Sequence, residues 1–463
     1  MLRSIRRAVG RDPSAGRQGP NWRLLATIAT AAVVLVAAAV TGALVATGTL
    51  TGSNAGAGSG HSTRRVHADS TPIVAPADGL TPAQVAVAYD LPPLAAAGIT
   101  GAGQTIVVID SFGSPTITRD LAHFDSYFKL PSPPSLRVIQ PAGPVPAFHP
   151  SNKNRIGWAE ETTLDVEWAH VMAPAASIVL VETPTSENEG TTGFPQIVAA
   201  EQYVLRHKLG QVISQSFAAT EQTFPSMSAL LALRSAYEEA ARDHVTVVAA
   251  TGDQGATSFK YNMKDLYTKP AVSWPATDPL VTAVGGTQLD LRADGTRRKA
   301  DVAWHDSGGG RSITFGRPAY QDGVQAFTGR ARGVPDISMD ASCTSAVVIY
   351  GSFYQGPGKW HPICGTSVAA PLFAGIVALA DQYAGHGKPH GLGVINSAIY
   401  KIAARHDRGI VDVHAGGNSQ TFKQHGTQYT VKGYAAAGGY NLVTGVGTVD
   451  AAYFVPELAD LAR

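Results

Sequence analysis

An α/β fold, with a central parallel sheet flanked by helices and one apolar helix ahead of it, is what this sequence predicts. Three observations carry the prediction. Apolar, β-branched runs at Thr105 to Ile109, Ser177 to Val181, Gln211 to Ser214 and Val245 to Ala250 alternate with helix-like stretches, the pattern of parallel strands joined by crossover helices. The 463 residues, 44% of them hydrophobic, suffice for one large core, and 49 glycines supply many tight turns. Near the N-terminus, Leu24 to Val45 carries no charge and uncharged residues continue to Leu50, long enough at about 20 residues to cross a bilayer.

The chain divides accordingly. Residues 1–23 are basic, with Arg3, Arg6, Arg7, Arg11, Arg17 and Arg23 against the single acid Asp12. Arginines ahead of an apolar span keep its N-terminal end in the cytoplasm and send the rest of the chain outside. The span 24–50 is a signal anchor, which would hold the protein on the membrane, or a signal peptide with a long basic region, which would leave it secreted. Both readings are extracytoplasmic. Residues 51–79, rich in Gly, Ser and Ala and then containing proline, read as a flexible linker. Residues 80–463 form the folded domain. A net charge of +1 leaves no electrostatic footprint for a nucleic-acid partner. The two cysteines, Cys343 and Cys364, suit a disulfide at that address, or else two free buried thiols.

Chemistry first shows at Gly365-Thr366-Ser367-Val368-Ala369-Ala370-Pro371, where an extended segment meets a long run of small apolar residues that reads as a helix. Ser367 falls in the first turn, where unpaired N–H groups and the positive end of the dipole favour a developing negative charge. An N-cap serine looks the same in isolation; a nucleophile also needs a base. The strand-like Gln104 to Ser111, which includes Asp110, resembles the segment carrying the aspartate of subtilisins, yet no His-Gly-Thr helix start comes between it and Ser367. The His-Gly-Thr at His425 comes after the serine, in a loop-like stretch, and His361 near Cys364 also reads as loop.

Carboxylates stand where the base should be. In Glu160-Glu161-Thr162-Thr163-Leu164-Asp165-Val166-Glu167, Glu161 and Asp165 are four apart, on one face of a helix. Like charges at that spacing repel, and if the face is partly buried at least one pKa rises and the two share a proton. Glu160 and Glu167 read instead as a solvated face. A third acid comes after the run Val245 to Ala250, in Thr251-Gly252-Asp253-Gln254-Gly255, which puts Asp253 at the mouth of a buried strand. An aspartate donates a hydrogen bond only when protonated, so a donor role there ties activity to acid.

Together these residues resemble the sedolisins, the serine-carboxyl peptidases. The likeness runs from about Leu80 to the C-terminus through Leu80-Thr81-Pro82-Ala83-Gln84, the Glu161/Asp165 pair, Thr251 to Gly255, Pro335-Asp336-Ile337-Ser338 and Gly365-Thr366-Ser367. It implies a subtilisin-like fold, with Ser367 as nucleophile, Glu161 as general base and then acid, Asp165 orienting Glu161, and Asp253 as the protonated oxyanion donor beside the Ser367 N–H. A carboxylate base has an unperturbed pKa near about 4, so an optimum at about pH 3 to 5 is expected. The implied substrate is an extended polypeptide, laid as an added strand between Val212 to Phe217 and Ala249 to Gly252. Phe217-Ala218 stands where many sedolisins have Trp-Gly, a departure that bears on the specificity pockets.

The resemblance further implies one calcium ion, held by Asp412, the Val413 carbonyl, carbonyls of Ala437 and Gly439, and Asn441, where the family usually has aspartate. One lost negative ligand weakens such a site. It also implies a large folded prosegment, for which residues 51–79 leave no room; silence at neutral pH, with Asp253 ionised, is the expectation in its place. A monomer is expected. Two rival functions stand beside this one: a neutral peptidase in which His170 or His425 serves Ser367, and a non-catalytic extracellular peptide-binding module on the same fold.

Overall fold

The computed structural model describes residues 76–354 and 356–462; the basic segment 1–23, the span 24–50 and residues 51–75 of the linker lie outside the described residues. The framework is an eight-stranded sheet of β1 (Thr105–Ser111), β2 (Leu136–Ile139), β3 (Ser177–Thr183), β4 (Val212–Gln215), β5 (Thr246–Ala250), β6 (Thr282–Gln288), β7 (Val302–Ala303) and β8 (Ile337–Asp340). Across the sheet the order is β8-β6-β5-β4-β1-β3-β2, every neighbouring pair parallel, with β7 antiparallel at the end of β6. From β1 the chain passes to β2 at the edge, returns to place β3 between the two, and then crosses to build β4 onward on the other side of β1. That reversal makes the carboxyl ends of β1 and β4 the crevice where an α/β sheet places a ligand.

Helices cover both faces. They are α1 (Pro82–Ala88), α2 (Ile117–Phe128), α3 (Lys153–Met172), α4 (Phe194–Arg206), α5 (Ser235–Arg242) and α6 (Thr366–Gly385). On β1, Ile106 and Val108 enter the core beneath α3 and α6, with Leu164, Trp168 and Phe373, whereas Val107 and Ile109 enter the core beneath α4 and α5, with Ile197, Val204 and Tyr237. A period of two on a strand buried on both faces explains why these segments read as continuous apolar runs. The opening Leu80-Thr81-Pro82-Ala83-Gln84 is a capping box, with the Gln84 N–H donating to Thr81 Oγ1 at 3.3 Å and the Thr81 N–H to Gln84 Oε1 at 3.0 Å.

Strands β2, β6 and β7 of the sheet escaped the sequence reading. In β6 the pair Gly285-Gly286 hides the apolar pattern, and a Cβ on Gly286 would lie 2.7 Å from the Ala341 side chain and 2.8 Å from Trp304. Helix α6 is long and apolar enough to span a membrane, yet it is buried against α3 and the sheet as the central helix of the core. Cys343 and Cys364 are joined, tying the segment after β8 to the approach of α6 across 21 residues, a loop whose closure is worth about 3 kcal/mol.

Candidate active site

Asn152 starts α3, its side chain accepting from the N–H groups of Asn154 and Arg155, and the helix then runs unbroken for 20 residues. Glu161 and Asp165 therefore share one face, which packs along α6. Helix α6 begins at Gly365, whose φ of 129° suits glycine alone; a Cβ there would also lie 2.7 Å from Asp253 Oδ2. Asp253, just beyond β5, accepts at Oδ1 from both the Thr366 N–H and the Thr366 hydroxyl, each at 2.8 Å. It caps α6 from a distant part of the chain, and its second oxygen lies beside the turn that leads to Ser367.

These groups meet at a cleft lined among others by Glu161, Ser216, Asp253, Thr366 and Ser367. Ser367 and Glu161 are part-exposed, and Asp165 behind them is fully buried. Burial drives the Glu161 carboxyl well above the ordinary carboxylate range, hydrogen bonding from the Ser367 hydroxyl works against that, and Asp110, Asp253 and Glu160 reinforce it. Asp165 rises well above its range for the same first reason, then through Asp110 and Glu161, opposed by the Ser216 hydroxyl, which donates to Asp165 Oδ1 at 2.9 Å. Glu161 Oε1 and Asp165 Oδ2 have no hydrogen-bond partner among the described residues. The Asp253 carboxyl is likewise raised by burial, with the Thr366 bonds opposing. A buried group of acids at one serine holds protons into milder pH than free carboxylates do.

One member of this group was missed. Asp110, at the carboxyl end of β1, is pushed up to about 7, first by burial, with the Thr162 hydroxyl opposing and Glu182 reinforcing, and neither of its oxygens is hydrogen-bonded among the described residues. Its charge acts on both Glu161 and Asp165. An acid closing an apolar strand is the signal that points to it. The solvated reading of α3 also fails: Glu167 is fully buried and accepts from the Tyr350 N–H at 3.1 Å, and Glu160 accepts from the Tyr354 hydroxyl at 2.6 Å.

The histidine alternatives do not reach the serine. His170 is buried on α3, bonded to the Pro131 carbonyl at 2.8 Å and 3.2 Å from Asp125. His425 is exposed and paired with Asp265 at 3.0 Å. His361, read as loop, lies in a short strand beside Tyr354. None of the three lines the cleft. The expected walls are present: Ser216, Phe217 and Ala218 on one side, Ala250 and Gly252 on the other, with Phe217 turned into the core against Phe194.

The expected calcium ligands gather but are arranged poorly for a cation. Asn441 is buried, and its Nδ2 donates to the Ala437 carbonyl at 3.1 Å, the Gly439 carbonyl at 3.5 Å and Thr444 Oγ1 at 3.0 Å. Its Oδ1 accepts from the N–H groups of Val443 and Thr444, at 3.0 and 2.9 Å, which fixes the amide's orientation. Asp412 Oδ1 accepts from the Gly439 N–H at 3.0 Å. The amide N–H groups thus stand towards the carbonyls where a metal ion would stand. Val413 is buried and nothing further marks its carbonyl.

Residues 151–393 match the model of the subtilase family, Peptidase_S8. Kumamolisin of Bacillus sp. (strain MN-32) is 31% identical over 337 residues, 70% of this chain and 55% of that protein. Sedolisin of Pseudomonas sp. (strain 101) is 26% identical over 387 residues, 81% of this chain and 60% of that protein. The chain thus spans little more than half the length of these curated relatives. The solved structure of Pseudomonas sedolisin, a serine-carboxyl proteinase, complexed with two molecules of pseudo-iodotyrostatin, has a similar fold, with a TM-score of 0.66 at 23% identity over 83% of this chain and 99% of that one.

Proposed function

The chain belongs to the subtilase family and, within it, to the sedolisins, and from that premise we propose that it is an acid-active serine-carboxyl peptidase acting on extended polypeptide. The observation that carries the reading is the meeting of Ser367, Glu161 and Asp253 in one cleft, with Asp165 buried behind them, Ser367 at a helix N-terminus and no histidine among the described residues that line it. Ser367 Oγ attacks the scissile carbonyl and its proton passes to Glu161. The oxyanion is held by the Ser367 N–H and by protonated Asp253, whose Oδ1 is already engaged by Thr366 and whose Oδ2 carries the donated proton. Glu161 returns the proton to the leaving amine, and water, deprotonated by the same carboxylate, releases the acyl group. Asp165, which accepts from Ser216 and interacts with the charge of Glu161, tunes the proton affinity of the pair.

Acid activity arises from two demands. Glu161 must lose its proton and Asp253 must keep its own, so activity rises through the first titration and falls through the second. Burial raises both, so the optimum lies in acid, towards the upper part of the range expected for carboxylates. The deciding measurement is peptide cleavage from about pH 2.5 to 8 by residues 76–463, with Ser367→Ala as the blank; a serine-dependent maximum at neutral pH would remove the reading.

The cleft is complete within one chain, which supports a monomer. An extracytoplasmic address, whether secreted or membrane-anchored through residues 24–50, is supported by the Cys343–Cys364 disulfide, a bond that persists in oxidising surroundings. For the ion expected at Asp412 and Asn441, we propose weak and dispensable binding, because calcium would have to displace the Asn441 amide from its bonds.

A further inference from the structure

The cleft holds a second acidic element that the peptide-bond chemistry does not use. Glu187 and Glu189 lie on the loop between β3 and α4, 8% and 6% exposed, and both line the cleft that contains Ser367. Their surroundings differ. Glu189 is fastened, its carboxylate accepting from the Thr220 N–H at 2.8 Å, the Thr220 hydroxyl at 3.0 Å and the Thr223 hydroxyl at 2.9 Å. Glu187 has a buried Oε1 with no partner among the described residues. The charge acting on it is that of Glu189, another carboxylate, and no cation among the described residues offsets the pair.

A buried carboxyl oxygen with no hydrogen-bond partner costs free energy unless something arrives to satisfy it. The loop around it is built to hold that position. The Glu187 N–H donates to Ser111 Oγ at 2.9 Å, the Gly190 N–H to Thr223 Oγ1 at 2.9 Å and the Asn188 N–H to the Thr192 carbonyl at 3.2 Å. Gly193 has a φ of 84°, and a Cβ there would lie 2.7 Å from the Glu187 backbone. A carboxyl on a loop whose backbone is held this firmly, lining a cleft whose other walls include Trp158, Phe217, Phe259 and Met263, offers an apolar surface with an acidic end.

That combination fits one class of side chain. Lysine and arginine have long apolar stems and a cationic head, so the stem can lie along aromatic and methionine surface while the head donates to a carboxylate. A head group placed there also reverses what burial does, since a carboxylate beside a cation is favoured where a carboxylate beside another carboxylate is not. We propose that Glu187, supported by Glu189, forms the specificity pocket for a basic side chain of the polypeptide substrate. The proposal rests on the peptidase reading for the word substrate, but not for the binding itself.

The test therefore uses the Ser367→Ala protein, which binds without cutting. Fluorescence anisotropy is measured at pH 5 with labelled octapeptides in which one lysine is walked through every position of an otherwise neutral sequence. Each is compared with its norleucine and Nε-acetyl-lysine counterparts. At one position the lysine peptide should bind at least tenfold tighter than either counterpart, with arginine equivalent, and Glu187→Gln should abolish that preference while leaving norleucine binding within twofold. Equal affinity of lysine, norleucine and acetyl-lysine peptides at every position would overturn the proposal, without reliance on any variant of Glu187. A preference that survives Glu187→Gln would overturn it too. Cleavage by the unmodified protein is measured in parallel: lysine-selective binding without Ser367-dependent cleavage would refute the peptidase and keep the pocket, and cleavage blind to lysine would do the reverse.

Discussion

The cleft around Ser367 and the loop around Asn441 both collect buried oxygen atoms, and they treat them in opposite ways. In the loop, one amide answers the Ala437 and Gly439 carbonyls and two backbone N–H groups together, and nothing on the Asn441 side chain is left unpaired. In the cleft and directly behind it, Glu161 Oε1, Asp165 Oδ2, both oxygens of Asp110 and Glu187 Oε1 are buried without partners among the described residues. A network that satisfies itself holds a fold together. One that leaves polar atoms wanting carries a free-energy deficit, and a substrate, a proton or a cation can relieve it.

The sharpest way to break that contrast is to remove the reacting groups. Ser367→Ala or Glu161→Gln should lower kcat/KM at the acid optimum by about a thousandfold or more, with the melting temperature unchanged or raised, because, apart from each other, neither polar group bonds any other element among the described residues. Retention of a tenth of the activity by Glu161→Gln would show that the unpaired carboxyls are not the base.

Asp253→Asn separates donation from acidity. An asparagine can accept from Thr366 with Oδ1 and donate with Nδ2 at any pH, so the fall in activity above the optimum should weaken or move to higher pH, at a cost of about 10- to 100-fold at the optimum. An unchanged high-pH limb would assign that limb to another group.

Stability should track the same deficits. Carboxyls raised in the folded state are protonated in both states well below about pH 4, where their contribution is complete; as pH rises the unfolded chain ionises first and stability is lost until the folded groups titrate. Asp110 and Glu189 are each raised to about 7, so the melting temperature should fall steadily between about pH 4 and pH 7. Asp110→Asn should flatten part of that slope. A melting temperature that climbs over this interval would mean the carboxyls find partners.

The smallest effect is expected at the satisfied loop. EDTA should leave the melting temperature within about 1 °C, whereas Asn441→Asp, which replaces an amide donor by a charged acceptor facing the same carbonyls, should destabilise the protein without calcium and recover with it. Calcium-dependent stability in the unmodified protein would place a cation where the amide stands.

Much of this was legible in the chain because it is local. The apolar periods of Thr105 to Ile109 and Val245 to Ala250 announce strands, the four-residue spacing of Glu161 and Asp165 fixes one helical face, and Ser367 begins a helix because small apolar residues come after it. What Asp110, Glu167, Glu187 and Asn441 do was not legible, since each depends on what distant elements bring beside it. Glu167 looked solvated until the Tyr350 strand covered it, and Asp110 stood only in a segment resembling one of the subtilisins, with no partner in view, until α3 laid two more carboxyls across it. His170 and His425 passed as candidate bases until their partners, Asp125 and Asp265, were in view. Residue type and spacing determined which chemistry this protein has to offer. Burial, which sets the energy of a charge and is a property of the whole assembled core, decided which of those residues can use it.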